Sequence, residues 1–213
     1  MAELTIALAK GRMQAQALTL LRRAGIEIDQ TALDSRRLAI EDTGGTHRFI
    51  FVKPADVPIY VEHGTADCGV AGRDVLIETE ADVLQPLDLR MACCRIAVAA
   101  LRGVNIEASG MLRVATKYPR IAMNHFAQRG VPVEIIELAG SVELAPVLGL
   151  ADCIVDLVET VRTLEENGLV VTEEITTSSA FFIVNRASYQ LKTSLIAPLI
   201  ERLSAVIDSG EGN

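Results

Sequence analysis

Six residues, Leu4 to Ala9, form a mostly apolar run that stops at Lys10-Gly11-Arg12, after which Met13, Ala17, Leu20, Leu21 and Ala24 recur at helical spacing up to Gly25. An apolar run, a glycine turn and then a 3.6-residue period read as strand, turn, helix. The unit repeats. His47 to Val52 precedes a helical stretch around Asp56 to His63, and Cys68 to Ala71 precedes a short one from Asp74. Apolar strands that alternate with helices bury both faces in a mainly parallel sheet covered by helices, so the fold class is α/β.

A second series follows the first. Cys94 to Leu101, Arg113 to Ala115, Val133 to Ile136 and Cys153 to Leu157 read as strands, with helices through Ile121 and Phe126 and near Glu143 to Leu148. Leu169 to Val171 and Ala180 to Val184 read as strands leading back, and Ala187 to Ile207 as one long amphipathic helix. Extended crossings near Leu87 to Arg95 and Glu174 to Phe182 then predict two lobes with a central cleft: residues 1–90 with 181–213, and residues 91–180. In such sheets ligands sit beyond the carboxyl ends of the strands and between domains.

Composition narrows the function. Half of the 213 residues are hydrophobic and 23% are charged, the balance of a chain with a real core. No apolar run approaches the roughly 20 residues of a membrane span, and no secretory leader is evident, so the expected location is cytoplasmic, with no membrane partner. A formal charge of −8 argues against a nucleic-acid binder. The acid is concentrated: between Glu134 and Ser178 ten acids face one base, Arg162. That is either a solvated surface or a metal-assisted anion site, since carboxylates and water hold Mg²⁺. Cys68, Cys93, Cys94 and Cys153 lack metal or redox spacing and read as reduced core residues. His47, His63 and His125 share no ligand spacing either, so no protein metal site is expected.

The polar turns carry the chemistry. Lys10 and Arg12 put two cations at the positive end of a helix dipole, an unfavourable placement unless an anion binds there. In the stretch Asp152 to Leu164, acids bracket an apolar strand, and Thr160 and Thr163 flank the start of the next helix, where hydroxyls and free amides can hold a phosphate. On spacing alone the reading of Thr160 as an N-cap and Asp152 as a surface acid is the favoured one. Glu143, two residues after Ser141, can open a helix or face a ribose. Lys53 and Asp74 fall at strand-to-helix turns and are open to both readings.

The segments Ile6–Arg12, Asp56–Gly64, Arg113–Tyr118, Gly140–Pro146 and Gly149–Asp156 resemble, in order, those of the ATP phosphoribosyltransferase family. The resemblance implies a two-lobed fold of the periplasmic-binding-protein type II, transfer of the phosphoribosyl group of 5-phosphoribosyl 1-diphosphate to N1 of ATP with release of pyrophosphate, and Mg²⁺ as cofactor. This is the first step of histidine biosynthesis. It implies that Glu143, Asp152, Asp156, Glu159, Thr160, Val161, Arg162 and Thr163 bind phosphoribosyl diphosphate, and that Lys10, Gly11, Arg12, Lys53 and Asp74 bind ATP. Arg12 and Arg36 would stabilise the leaving pyrophosphate. Val161 stands where the family commonly has glycine. The likeness is to the short, catalytic form, built on a homodimer, whose partner is a regulatory subunit resembling histidyl-tRNA synthetase.

The rival reading is a two-lobed domain that binds or senses a small anion without catalysis, because such folds host many functions. A sensor needs no second substrate site, whereas this chain carries Lys10-Gly11-Arg12 in one lobe and Asp156 with Thr160 in the other. A purely structural subunit would leave both polar turns unexplained.

Overall fold

The computed structural model describes residues 3–33, 35, 37–104, 110–160 and 162–210, and only the backbone of Arg12. The chain divides into two compact units, Met1–Ala92 with Ser179–Asn213, and Cys93–Ser178.

In chain order the first unit contributes β1 (Leu4–Ala9), α1 (Arg12–Arg23), α2 (Gln30–Leu33), β2 (Ala39–Glu41) and β3 (His47–Val52). A 3-10 turn at Pro54–Asp56 leads into α3 (Val57–Glu62), β4 (Cys68–Gly72), α4 (Arg73–Thr79) and β5 (Leu84–Asp88). The second unit holds β6 (Cys94–Leu101), β7 (Leu112–Thr116), α5 (Pro119–Gln128), β8 (Val133–Glu137), α6 (Leu144–Val147), β9 (Cys153–Val158), α7 (Arg162–Glu166) and β10 (Leu169–Ser178). The chain then returns to the first unit with β11 (Ala180–Val184), α8 (Arg186–Leu191) and α9 (Thr193–Asp208).

The first sheet runs β2-β3-β1-β4-β11-β5 and the second β10-β6-β9-β7-β8. Strand β1 shows why the first sheet is covered on both faces. Leu4, Ile6 and Leu8 join Leu21, Phe49, Phe182 and Leu199 in one core cluster, while Ala7 and Ala9 join Val57, Val61 and Ile183 in another. Alternate residues of a strand point to opposite faces, so a strand apolar at nearly every position needs helices on both sides. Phe49 and Phe182 are fully buried. Burial stabilises each such side chain by roughly 2 kcal/mol.

The structure departs from the sequence reading in three places. The sheets are mixed rather than mainly parallel: β1 pairs in parallel with β3 and β4, and β7 with β8 and β9, but β6 and β11 pair antiparallel with both their neighbours. These strands adjoin the two connections between units, and a chain that crosses without an intervening helix returns antiparallel. The expected helix over Ala187 to Ile207 is two helices, because Lys192 leaves helical geometry at φ −122° and ψ 27°. Its ammonium meets Asp67 Oδ2 and the Glu3 carbonyl, both at 2.9 Å, which fixes the break. Cys93 is exposed rather than buried, while Cys68 and Cys153 are buried and none of the four is in a disulfide.

Candidate functional site

The first group of candidate residues lies beyond the carboxyl ends of β1, β3 and β4. The β1–β3 register pairs Ala9 with Val52, and the Lys10 amide donates to the Val52 carbonyl at 2.8 Å. Lys10 and Lys53 are therefore the next residues on two adjacent strand ends, both exposed. Gly11 adopts φ 101° and ψ −150°, a region that side-chain-bearing residues avoid, and so turns β1 directly into α1. The first turn of α1 carries no acid, so its positive end has no counter-charge of its own.

Beside this turn is a cavity of about 240 Å³ whose lining includes Lys10, Gln14, Ser35, Arg37, Leu38 and Phe51. Two cations and two amide or hydroxyl groups, together with an exposed leucine and a buried phenylalanine, suit a ligand with an anionic part and a flat apolar part. The sequence reading chose Arg36 and passed over Arg37. Arg36, the Arg12 side chain and Val161 lie outside the described residues.

At the third strand end Asp74 is buried in the first turn of α4. A Cβ built on Gly72 would collide with the Asp74 carboxylate, so the absence of a side chain at 72 is what lets that acid turn back over β4.

The second group lies in the other unit and splits into two places. Asp156, on β9, is 8% exposed; its Oδ1 accepts from the Leu157 amide at 2.8 Å and pairs with Lys117 Nζ at 3.0 Å. Burial pushes the Asp156 carboxyl above the usual range, Lys117 opposes the shift, and Glu143, the N-cap of α6, adds to it. Lys117 follows β7 at its carboxyl end. There the buried Thr116 hydroxyl donates to Val155 O at 2.6 Å and accepts from the Tyr118 amide at 2.8 Å. Glu159 and Thr160 are exposed just past β9, and Thr163 is exposed in α7. Arg162 pairs with Glu166 at 2.8 Å.

Asp152 is elsewhere. It precedes β9 at the amino end of the strand, about 13 Å along the chain from Asp156 at the usual rise per residue. Arg113 occupies both its oxygens: Nη2 reaches Oδ1 at 2.8 Å, and Nε at 3.3 Å and the amide at 2.9 Å reach Oδ2. The guanidinium hydrogen bonds, then the amide, hold the Asp152 carboxyl below its ordinary value. Asp152 thus precedes β9 on the Arg113 side, while Asp156 lies within the strand beside Lys117. The sequence reading did not single out Lys117, the partner of Asp156. The signal for the pairing is the matched four-residue spacing of Arg113 and Lys117, in and just after β7, and of Asp152 and Asp156, just before and in β9.

Among the described residues no three His, Cys, Asp or Glu side chains converge on a metal position. The histidines have other partners: Asp42 for His47, Ile59 O for His63 and Glu173 for His125. No helix among the described residues is long and apolar enough to cross a membrane.

The architecture is the two-lobed α/β fold of type II periplasmic binding proteins. A putative L-cystine ABC transporter protein from Listeria monocytogenes shares it at 13% identity and a TM-score of 0.62, over 99% of this chain and 92% of its own. Residues 53–205 match the ATP phosphoribosyltransferase family, and the chain belongs to that family. It is 52% identical over 204 residues to an ATP phosphoribosyltransferase of Geobacillus sp., covering 96% of this chain and 98% of the relative. The Bacillus subtilis enzyme is 50% identical over 96% of each chain. The ATP phosphoribosyl transferase (HisG:HisZ) complex from Thermotoga maritima contains a chain of TM-score 0.86 and 36% identity, over 97% of this chain and 99% of that one. Family membership makes this chain a phosphoribosyl-transferring enzyme and sets aside the non-catalytic sensor.

Proposed function

We propose that this chain joins ATP to phosphoribosyl diphosphate: adenine N1 forms a bond to the anomeric carbon, the bond from that carbon to the diphosphate oxygen breaks, and pyrophosphate leaves with the electron pair. The product is N1-phosphoribosyl-ATP, at the start of histidine biosynthesis. The observation that carries the reading is identity near one half along 96% of the chain, which takes in both the cationic turn at Lys10 and the acidic turn at Asp156.

In this reading Lys10, Gly11, Arg12, Lys53 and Asp74 serve ATP, with Ser35 and Arg37 added from the cavity they line. Arg12 and Arg36 stabilise the charge growing on pyrophosphate, since fixed cations aimed at a leaving group lower the barrier. Glu143, Asp156, Glu159, Thr160, Val161, Arg162 and Thr163 serve phosphoribosyl diphosphate. Asp152 is left out, because Arg113 uses both its oxygens at the far end of β9.

Mg²⁺ fits as part of the substrate rather than as a resident ion. No protein cage exists among the described residues, and Mg²⁺ commonly keeps its waters and binds through substrate phosphates. Carried in on the diphosphate, it neutralises phosphate charge. The relative solved as a HisG:HisZ complex supports assembly with a HisZ-type regulatory chain. A homodimer is the building unit in this reading.

The test is absorbance of N1-phosphoribosyl-ATP in the presence of ATP, phosphoribosyl diphosphate, Mg²⁺ and a pyrophosphatase, with and without the partner chain. Product formation that needs both substrates is expected. Its absence in both mixtures overturns the reading.

A further inference from the structure

Asp156 uses its two carboxylate oxygens unequally. Oδ1 receives the Lys117 ammonium at 3.0 Å and the Leu157 amide at 2.8 Å, while Oδ2 has no partner among the described residues. Lys117 is itself held. Thr116 pins the turn before it through Val155 O and the Tyr118 amide, Pro119 opens α5 immediately after, and the ammonium lies 5.4 Å from the centre of the Tyr118 ring. A lysine that only solvated a surface would need no such fixing, and its side chain is 39% exposed against 12% for Asp156.

We infer that Lys117 is a positioning residue of the phosphoribosyl diphosphate site: with the Leu157 amide it pins Asp156 Oδ1, so that Oδ2 is presented as the acceptor for a ribose hydroxyl. The inference rests on the proposed role of Asp156 in that site. Ionised carboxylates only accept hydrogen bonds, and a protonated one loses acceptor capacity. The charged groups facing Asp156 are Lys117 from the end of β7 and Glu143 from the start of α6. On the remaining side β6 offers Ala97 in register with Asp156 and no charge. Lys117 is therefore the one cation among the described residues set against burial and the Glu143 carboxylate.

The experiment is calorimetric affinity for phosphoribosyl diphosphate across about pH 5 to 8, on wild type, Lys117→Met, Lys117→Arg, Asp156→Asn and the double variant K117M/D156N. Titration of the substrate phosphate is common to all five proteins and cancels. In Lys117→Met the pH below which affinity falls should rise by about one unit, and Lys117→Arg should restore the wild-type limb. In the Asp156→Asn background, Lys117→Met should change neither affinity nor pH dependence. Steady-state rates should show a raised KM for phosphoribosyl diphosphate with kcat little changed. If Lys117→Met does not fold, Lys117→Gln takes its place.

An acid limb that Lys117→Met or its substitute leaves in place overturns the inference. So does an equal loss of affinity in both Asp156 backgrounds, which would mean that Lys117 grips phosphate directly. Wild-type protein that binds no phosphoribosyl diphosphate overturns the site reading itself, and the inference falls with it.

Discussion

Asp152 takes three hydrogen bonds from Arg113, two from the guanidinium and one from the main-chain amide, and so clasps the amino ends of β7 and β9 together. The clasp is closed in the other direction by the Asp152 amide, which donates to the Arg113 carbonyl at 2.8 Å. Asp152→Asn should lower the melting temperature by a few degrees and leave affinity for phosphoribosyl diphosphate unchanged in the folded protein. A lowered folded-state pKa stabilises above the unfolded value and the gain disappears as pH falls through the folded one. The difference in melting temperature between the Asp152→Asn variant and wild type should therefore shrink in acid. Thermal melts at neutral and acid pH check this.

Asp156 has the opposite sign. Its folded-state pKa is raised, chiefly by burial, so the folded state holds this proton more tightly than the unfolded state. Stability is lost as pH rises from the unfolded value through the folded one and stays lost at neutral pH. Asp156→Asn should melt higher than wild type near pH 7 while losing affinity for phosphoribosyl diphosphate. A melt paired with calorimetry reads both; lower stability together with unchanged affinity would make Asp156 a structural acid.

The contrast between these acids marks where sequence reading reaches its limit. The turn at Lys10-Gly11 was legible because an apolar run, a glycine and a helical period lie side by side. Which acids share a site was not, since it depends on the β7–β9 register, which sets Val114 beside Cys153 across 39 residues of chain. The break at Lys192 was hidden for the same reason: its partner Asp67 is 125 residues away. Short elements such as α2 and β2 carry too few residues for a period to show. Arg37 is the same residue type as its neighbour Arg36, so only the cavity lining singles it out.

Gly72 has an ordinary φ of −69°, so any effect of a side chain there is steric rather than conformational. Gly72→Ala should push the Asp74 carboxylate out of its place in the first turn of α4. Steady-state kinetics should show KM for ATP raised about tenfold, the equivalent of roughly 1.4 kcal/mol, with KM for phosphoribosyl diphosphate unchanged. Equal effects on both substrates would detach Asp74 from the ATP side.

The thiols should react in the order of their exposure. Burial, and after it the neighbouring Asp152, pushes the Cys153 thiol up to about 12, and burial pushes Cys68 higher still. The thiolate is the nucleophile, so neither should react in the folded protein. Cys93 is exposed. Brief treatment with a maleimide, followed by peptide mass spectrometry, should place the first adduct on Cys93, with Cys68 and Cys153 modified only after denaturation.

The returning helices are fastened to the first sheet by a buried acid. Asp67, 7% exposed, accepts from the Thr5 amide at 2.8 Å and Lys192 Nζ at 2.9 Å through Oδ2, and from the Ser188 hydroxyl at 2.7 Å through Oδ1. Its carbonyl also accepts from the Asn185 amide, and Asn185 caps α8 by accepting from the Ser188 amide. One carboxylate thus ties β1, α8 and the α8–α9 break to the start of β4. Lys192→Met keeps the length of the side chain but leaves the acid without its cation. The two remaining donors still solvate Asp67, and Lys192 is 38% exposed, so the loss should fall below that of a fully buried pair. About 2 kcal/mol is expected, a fall in Tm of roughly 4–8 °C for a chain of this size. Adding Asp67→Asn should recover part of the loss, because a neutral amide needs no counter-ion there. Urea denaturation of the two single variants and the double variant measures the coupling; strictly additive losses would mean that the ion pair contributes nothing of its own.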